Sequence, residues 1–317
     1  MDAEIYTMKI ILLPFYFLLF TSALFAQSNN TKPTSSIRIE MLFPEGKSKA
    51  LILSYDDGPE ADRKMVKLMN EYGLKGTFHL NSNKLDTKGY LTKNEIKTLF
   101  KGHEVSVHTA NHPGLTGMSK IDIVYEVVED RKELERLTGN TIRGMAYPFG
   151  SYDNSVVDAI SGLGIEYART VNDSYNFSIP KNFLIWDASI HQFGKAYFKP
   201  NNPENDKQEL KIFNDLVSNF IKSDTLALLD VWGHSWENEG EGNRWNAIEQ
   251  FFKQVSNNKE ILYTTQIDLV DYIKAYKNLQ FSVDKKIVKN ASSMDVYLKI
   301  DGKAYKIAGG AQLTILI

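Results

Sequence analysis

Between Lys49 and about Tyr276 short apolar runs alternate with amphipathic stretches of helical period, and this alternation limits the fold more than any other feature of the chain. Strand-like and helix-like segments in turn argue for an α/β architecture with parallel strands, because each return to the sheet is made through a helix. Ala50-Leu51-Ile52-Leu53 reads as a buried strand. Ala61 to Tyr72 places Met65, Leu68, Met69 and Tyr72 at helical spacing and stops at Gly73. Gly76 to Leu80 is the next strand, and Thr92 to Phe100 a helix whose cap Thr92 pairs with Glu95 in a capping box. Ile121 to Leu137 is a long amphipathic helix ended by Gly139, with Glu126, Asp130 and Glu133 set against Arg131, Lys132 and Arg136 as a solvated face. Met145 to Pro148, Tyr167 to Val171, Leu184 to Ile190 and Thr225 to Trp232 supply later strands, separated by helices at Ser155 to Leu163, Asp206 to Ile221 and, after the last strand, Asn246 to Val255. Seven or eight such strands predict a distorted (β/α) barrel.

Three of the strands end on polar clusters, at the edge where such barrels build active sites. Ser54-Tyr55-Asp56-Asp57-Gly58-Pro59 follows the first, His108-Thr109-Ala110-Asn111-His112 follows Glu104 to Val107, and Trp232-Gly233-His234 closes the strand from Thr225. Successive side chains on an extended backbone point to opposite sides, so Asp56 and Asp57 are expected to do different jobs, one facing a metal and the other the reacting water. His108 and His112 can converge on one ion across a single turn, which Pro113 makes a loop rather than a regular helix. Two imidazoles and one carboxylate suit zinc and its first-row neighbours and leave a coordination position open for water. Each cluster also has a plainer explanation: an Asp-Asp turn with Gly58 at positive φ, hydrogen-bonded structural histidines, and a histidine capping a strand.

Tyr-Asp-Asp-Gly-Pro followed about fifty residues later by His-Thr-x-x-His resembles the polysaccharide deacetylases with a NodB-type catalytic domain, over about Lys49 to Tyr276. The resemblance implies that Asp56 is the general base, that Asp57, His108 and His112 hold one divalent metal ion, zinc first among the candidates, and that His234 is the general acid. Met145-Ala146-Tyr147-Pro148-Phe149-Gly150 occupies the place of the family's Arg-Pro-Pro-Tyr-Gly run, which makes Phe149 the backbone N–H donor to the oxyanion. Ala146 stands where the family has the arginine that holds the catalytic aspartate, and Arg143 is the nearest substitute in sequence. Trp186 and Asp187 resemble the family's fourth motif with the order reversed, Trp186 as part of an acetyl pocket and Asp187 orienting His234. Tyr55, Tyr147, Phe149 and Trp232 are expected to be exposed aromatics able to stack on sugar rings. The implied substrate is an acetylated glycan. A carbohydrate-binding homologue without turnover and an amidase acting on a small non-sugar amide are the competing readings.

The chain has 317 residues, enough for one large domain and a small appendage. A net charge of −2 gives no electrostatic case for nucleic acid or an anionic membrane. Ile10 to Phe20 is apolar apart from Tyr16, follows Lys9, and leads through small residues to Ala26 and Gln27, which reads as an export signal over 1–26 with translation starting at Met1 or Met8. No stable membrane span is expected after its removal, and the expected location is periplasmic, cell-surface or extracellular. With no cysteine there is no disulfide, thiolate ligand or thiol-linked lipid. Residues 27–48 read as a linker and lead-in, 49–277 as the catalytic domain, and 278–317 as a small all-β module with turns at Asp301-Gly302 and Gly309-Gly310. Glu237 to Arg244, rich in carboxylates and glycine, reads as a mobile rim beside His234.

Overall fold

The computed structural model describes residues 37–192, 203–239 and 244–315. The expected export signal and the spacer from Gln27 to Ser36 lie outside the described residues, as do 240–243 of the rim loop. In chain order the elements are β1 (Ile39–Leu42), β2 (Lys49–Asp57), α1 (Asp62–Glu71), β3 (Thr77–Leu80), α2 (Ile96–Leu99), β4 (Glu104–Val107), α3 (Lys120–Thr138), β5 (Gly144–Ala146), α4 (Asn154–Ser161), β6 (Tyr167–Asp173), β7 (Trp186–Ala188) and β8 (Ile190–His191). They continue with α5 (Pro203–Lys222), β9 (Ala227–Gly233), α6 (Arg244–Val255), β10 (Ile261–Tyr263), α7 (Gln266–Lys277), β11 (Leu279–Phe281), β12 (Ile287–Asn290), β13 (Val296–Ile300), β14 (Lys303–Ile307) and β15 (Gln312–Thr314).

The central sheet is parallel throughout and runs β7-β6-β5-β4-β3-β2-β9-β8, with β10 added on β2. Its two end strands are one extended stretch of chain. Arg169 pairs with Trp186 on one side, Val231 pairs with Ile190 on the other, and between them the Ser189 N–H donates to the Asp230 carbonyl at 2.9 Å. The sheet therefore curls onto itself as the expected distorted (β/α) barrel.

Side-chain alternation along β2 sorts the two cores. Leu51, Leu53 and Tyr55 pack outward beneath the helices with Met65, Val66 and Met69 of α1, while Ala50 and Ile52 face inward with Tyr167, Trp186 and Leu228. The inner core continues through Leu269, Val270 and Ile273 of α7 into Val288, Val296 and Leu298 of the C-terminal strands. Two antiparallel sheets form that region, β1-β13-β14 and β11-β12-β15. The lead-in residues 39–42 are thus a strand of the β module, paired with Ile300 to Tyr297. The Tyr272 hydroxyl of α7 fastens this strand by donating to the Leu42 carbonyl at 2.5 Å. Asp301 and Gly302 both have positive φ, 45° and 86°, as a tight two-residue hairpin between β13 and β14 demands. Among the described residues no helix is long and apolar enough to cross a membrane.

Candidate active site

Asp56 ends the inward row Ala50-Ile52-Ser54-Asp56, and Asp57 follows it in the left-handed region with φ at 80°. Both carboxylates approach His108 Nε2, Asp56 Oδ2 at 3.9 Å and Asp57 Oδ1 at 3.7 Å, but their other partners differ. His108 leaves β4 and reaches the same spot; its Nδ1–H donates to the Ala146 carbonyl at 2.8 Å. A carbonyl only accepts, so the proton stays on Nδ1 and the lone pair of Nε2 is turned outward.

His112 joins through a loop in which Thr109 and His112 both have left-handed φ, 66° and 63°. Such residues cost of order 1–3 kcal/mol each unless their surroundings hold them. Two acids of α3 do the holding. Asp130 accepts from the backbone N–H groups of His108 (2.9 Å) and Ser82 (2.7 Å), and Glu126 accepts from the Asn111 backbone N–H and Nδ2, both at 2.8 Å. These two carboxylates are buried, which corrects the expectation that they belong to a solvated face. Burial pushes the Asp130 carboxyl up to about 7. The signal was present in the sequence: Ile123, Glu126, Val127, Asp130 and Leu134 share one helical stripe, and an acid on an apolar stripe needs a partner.

Ligand atoms of Asp57, His108 and His112 all lie within 4.8 Å of one another. Asp57 Oδ1 is buried with no hydrogen-bond partner among the described residues, 3.4 Å from His112 Nε2 and 3.7 Å from His108 Nε2. Burial lowers the pKa of both imidazoles, so they are neutral electron-pair donors at neutral pH. An orphaned carboxylate oxygen facing two neutral imidazoles fits a divalent cation of the zinc type.

Asp56 is gripped on both oxygens. Burial alone would raise its pKa, but the Arg169 guanidinium, with His108 and His79, holds it well below the usual carboxylate range. Arg169 is itself wholly buried; it donates to Asp56 Oδ2, to Ser54 Oγ at 2.9 Å and to the Thr170 carbonyl at 2.6 Å, and it stacks on the Trp232 ring with its guanidinium carbon 4.6 Å from the centroid. Ala146 and Arg169 are directly paired across β5 and β6. The guanidinium that position 146 lacks arrives from the neighbouring strand at the same level. Arg143 does not supply it, being engaged with Asp271 (2.6 and 2.8 Å) and Glu166 (3.1 Å).

His234 follows β9, with Nε2 3.9 Å from Asp57 Oδ2 and Nδ1 2.6 Å from Glu237 Oε1. Burial works against its charge, yet Glu237, aided by Asp56 and Asp57, raises its pKa to about 9. Glu237 also meets His191 Nε2 at 3.0 Å and accepts from Gln192 Nε2 at 2.5 Å, so it is an internal carboxylate and not part of a mobile rim. It takes the place expected for Asp187, whose oxygen instead accepts from Thr170 Oγ1 and, at 3.2 Å, from Asn172 Nδ2. A short 3-10 turn over Ser235–Asn238 brings Glu237 back under the imidazole three residues before it.

Of the five expected aromatics, Phe149 alone is open to solvent, 71% exposed, with left-handed φ and its ring 4.5 Å from that of His112. Trp186 is core, packed on Tyr167 and Phe183, and not a pocket wall. Tyr147 is buried against Tyr152 with its hydroxyl on the Leu184 carbonyl (2.8 Å), and Tyr55 is buried with its hydroxyl on Gln192 Oε1 (3.1 Å). Trp232 lies beneath the site, donating from Nε1 to Asp173 at 2.9 Å. Strand-end aromatics fill the gaps between neighbouring strand ends, which is why their position in the sequence suggested more exposure than they have. Trp236, unmarked in the sequence reading, stands at the rim instead. Its ring is 5.0 Å from that of His234, and its Nε1–H donates to Asp57 Oδ2 at 3.2 Å.

Residues 44–168 match the family model for polysaccharide deacetylases. Over these residues the chain is similar to the polysaccharide deacetylases. It is 28% identical over 114 residues to chitin deacetylase 1 of Cryptococcus neoformans, covering 36% of this chain and 24% of that protein. To the peptidoglycan-N-acetylglucosamine deacetylase PgdA of Listeria monocytogenes it is 24% identical over 141 residues, 44% of this chain and 30% of the relative. The matches therefore span only a quarter to a third of these relatives' length. A crystal structure from Mycobacterium smegmatis, classed with the polysaccharide deacetylases, superposes with a TM-score of 0.57 over 75% of this chain and 96% of that one at 15% identity, which establishes a shared fold.

The two arginines make opposite predictions. Removing one partner of a fully buried pair leaves a charge stranded, so Arg169→Met should cost about 3–5 kcal/mol in urea unfolding. Arg143→Met, at a partly exposed pair, should cost about 0–1 kcal/mol. Equal losses would contradict the assignment of Arg169 to Asp56.

Proposed function

We propose that the protein is an exported, metal-dependent hydrolase that removes N-acetyl groups from amino sugars of a polysaccharide or oligosaccharide. The observation that carries this reading is the convergence of Asp57, His108 and His112 on one point beside Asp56 and His234, the first four of them inside the segment that matches the deacetylase family model. A divalent ion held by the three ligands would supply carbonyl polarisation and water activation.

The chain's own groups account for the proton transfers. Asp56, kept ionised by Arg169, takes the proton of the attacking water. The Phe149 N–H, on a residue whose ring lies 4.5 Å from that of His112, is assigned to the developing oxyanion. His234, protonated through Glu237, gives its proton to the departing amine. Phe149 and Trp236, one beside His112 and the other beside His234, offer apolar faces to sugar rings. Export would give access to substrates outside the cell, and the relatives' names point to chitin and peptidoglycan as the chemical class.

Acetate release from a panel of N-acetylated glycans, by metal-stripped and zinc-reconstituted protein, tests the reading. Metal-dependent release from at least one glycan is expected, and activity confined to small non-sugar amides would overturn the substrate class. Asp56→Asn should lower kcat by about 10² to 10⁴; wild-type turnover in that variant would remove Asp56 from the role of base.

Glu237→Gln has a pH signature. The carboxylate raises the His234 pKa, so its loss lowers that pKa, and the acid loses its proton at lower pH. The alkaline limb of kcat against pH should therefore move to lower pH in Glu237→Gln. An unmoved limb would show that Glu237 does not set the acid.

A further inference from the structure

Behind Asp56 lies a buried polar line that none of the steps above uses. His79, wholly buried in β3, has Nδ1 3.0 Å from Asp56 Oδ1 and Nε2 3.4 Å from the Tyr167 hydroxyl. That hydroxyl is also 2.8 Å from Glu104 Oε1 and 2.9 Å from Ser106 Oγ. The other oxygen of Glu104 accepts from Thr77 Oγ1 at 2.9 Å and from the Ile267 N–H at 3.0 Å. Glu104 opens β4 and Asp56 stands near the end of β2, so the line crosses the barrel from its N-terminal mouth to the active-site mouth.

Interior polar groups are costly unless every one is satisfied, and an apolar side chain at position 79 would have needed no partner. The line can be satisfied in one direction. An ionised Asp56 offers only lone pairs, so His79 Nδ1 must carry the proton and Nε2 must accept. Tyr167 is the hydroxyl within reach of Nε2, at 3.4 Å; it donates to Glu104 Oε1 at 2.8 Å when Glu104 is ionised, and a protonated Glu104 frees that single proton to turn to His79. Burial pushes Glu104 up to about 7, so it keeps the proton that this arrangement needs on the acid side of neutrality.

We propose that His79 is a positioning residue for the Asp56 carboxylate, fixing its Oδ1 edge as Arg169 fixes Oδ2, with the imidazole held in place by Tyr167 and Glu104. The proposal rests on Asp56 as the proton acceptor. One grip lets a carboxylate swing about the held oxygen, whereas grips on both oxygens fix its plane, and a base displaced by about 1 Å can lose about 10²-fold in rate.

The test combines a mutant cycle with a spectrum. His79→Phe should lower kcat by about 10- to 100-fold with KM within about twofold. His79→Asn, whose amide N–H stands near the place of Nδ1–H, should recover most of the rate. Tyr167→Phe should slow the wild type but cost nothing further in His79→Asn, because its effect passes through the imidazole. An equal cost in both backgrounds, or a His79→Phe variant with wild-type kcat, would overturn the proposal. Nitrogen-15 spectra of histidine-labelled, zinc-loaded protein, with His79 assigned by its loss in His79→Asn, report the tautomer without turnover. A proton on Nδ1 is expected, and one on Nε2 would overturn the proposal even if acetate is released. Absence of acetate release from every glycan with Nδ1 protonated would instead count against the deacetylase reading alone.

Discussion

The ion pair between Asp56 and Arg169 is the interaction on which the rest of the active site depends. Both groups are shut from water, and taking two charges into a barrel interior costs several kcal/mol per ion unless geometry and additional hydrogen bonds offset it. The offset is visible: Ser54, the Thr170 carbonyl and the Trp232 face complete the coordination of the guanidinium, while His79 takes the free oxygen of Asp56. Those groups come from β2, β3, β6 and β9, so the pair is available only once the sheet has curled and its end strands have met. A charged Asp56 and a closed barrel are one condition, not two.

Beside that pair the next carboxylate, Asp57, has a different set of partners. The left-handed turn at Asp57 separates an aspartate held by protein from one left with an unfilled oxygen, and the same backbone region recurs at Thr109, His112 and Phe149 around the same point. Such backbone is unfavourable away from glycine. Asp130 and Glu126, acting from α3 on the peptide N–H groups of the histidine loop, stabilise it at a distance from any substrate.

Much of this was legible in the chain itself. The (β/α) alternation, the capping box at Thr92 and Glu95, the Gly139 stop after α3 and the Asp301-Gly302 hairpin all rest on local chemistry that a sequence carries directly. The candidate cation ligands were legible because they sit in two short runs. What the sequence hid were partners that meet only across strands. Arg169 is twenty-three residues beyond Ala146 in the chain yet its immediate neighbour across β5 and β6, whereas the nearer Arg143 points to Asp271. Glu237 looked like one of several carboxylates in a flexible stretch until the 3-10 turn put it under His234. Trp186, Tyr147 and Trp232 carry the composition of a sugar-binding wall but fill the interior, because periodicity cannot say how far a strand end projects beyond its neighbours.

The central claim is that one divalent cation is held jointly by Asp57, His108 and His112. Zinc stoichiometry by equilibrium dialysis of the metal-stripped protein tests it directly, beside the Asp57→Asn variant. The account predicts one tightly bound zinc per chain for the native sequence and none for the variant, whose amide leaves the two imidazoles without an anionic partner. Equal zinc uptake by the two proteins, or none by either, would contradict it.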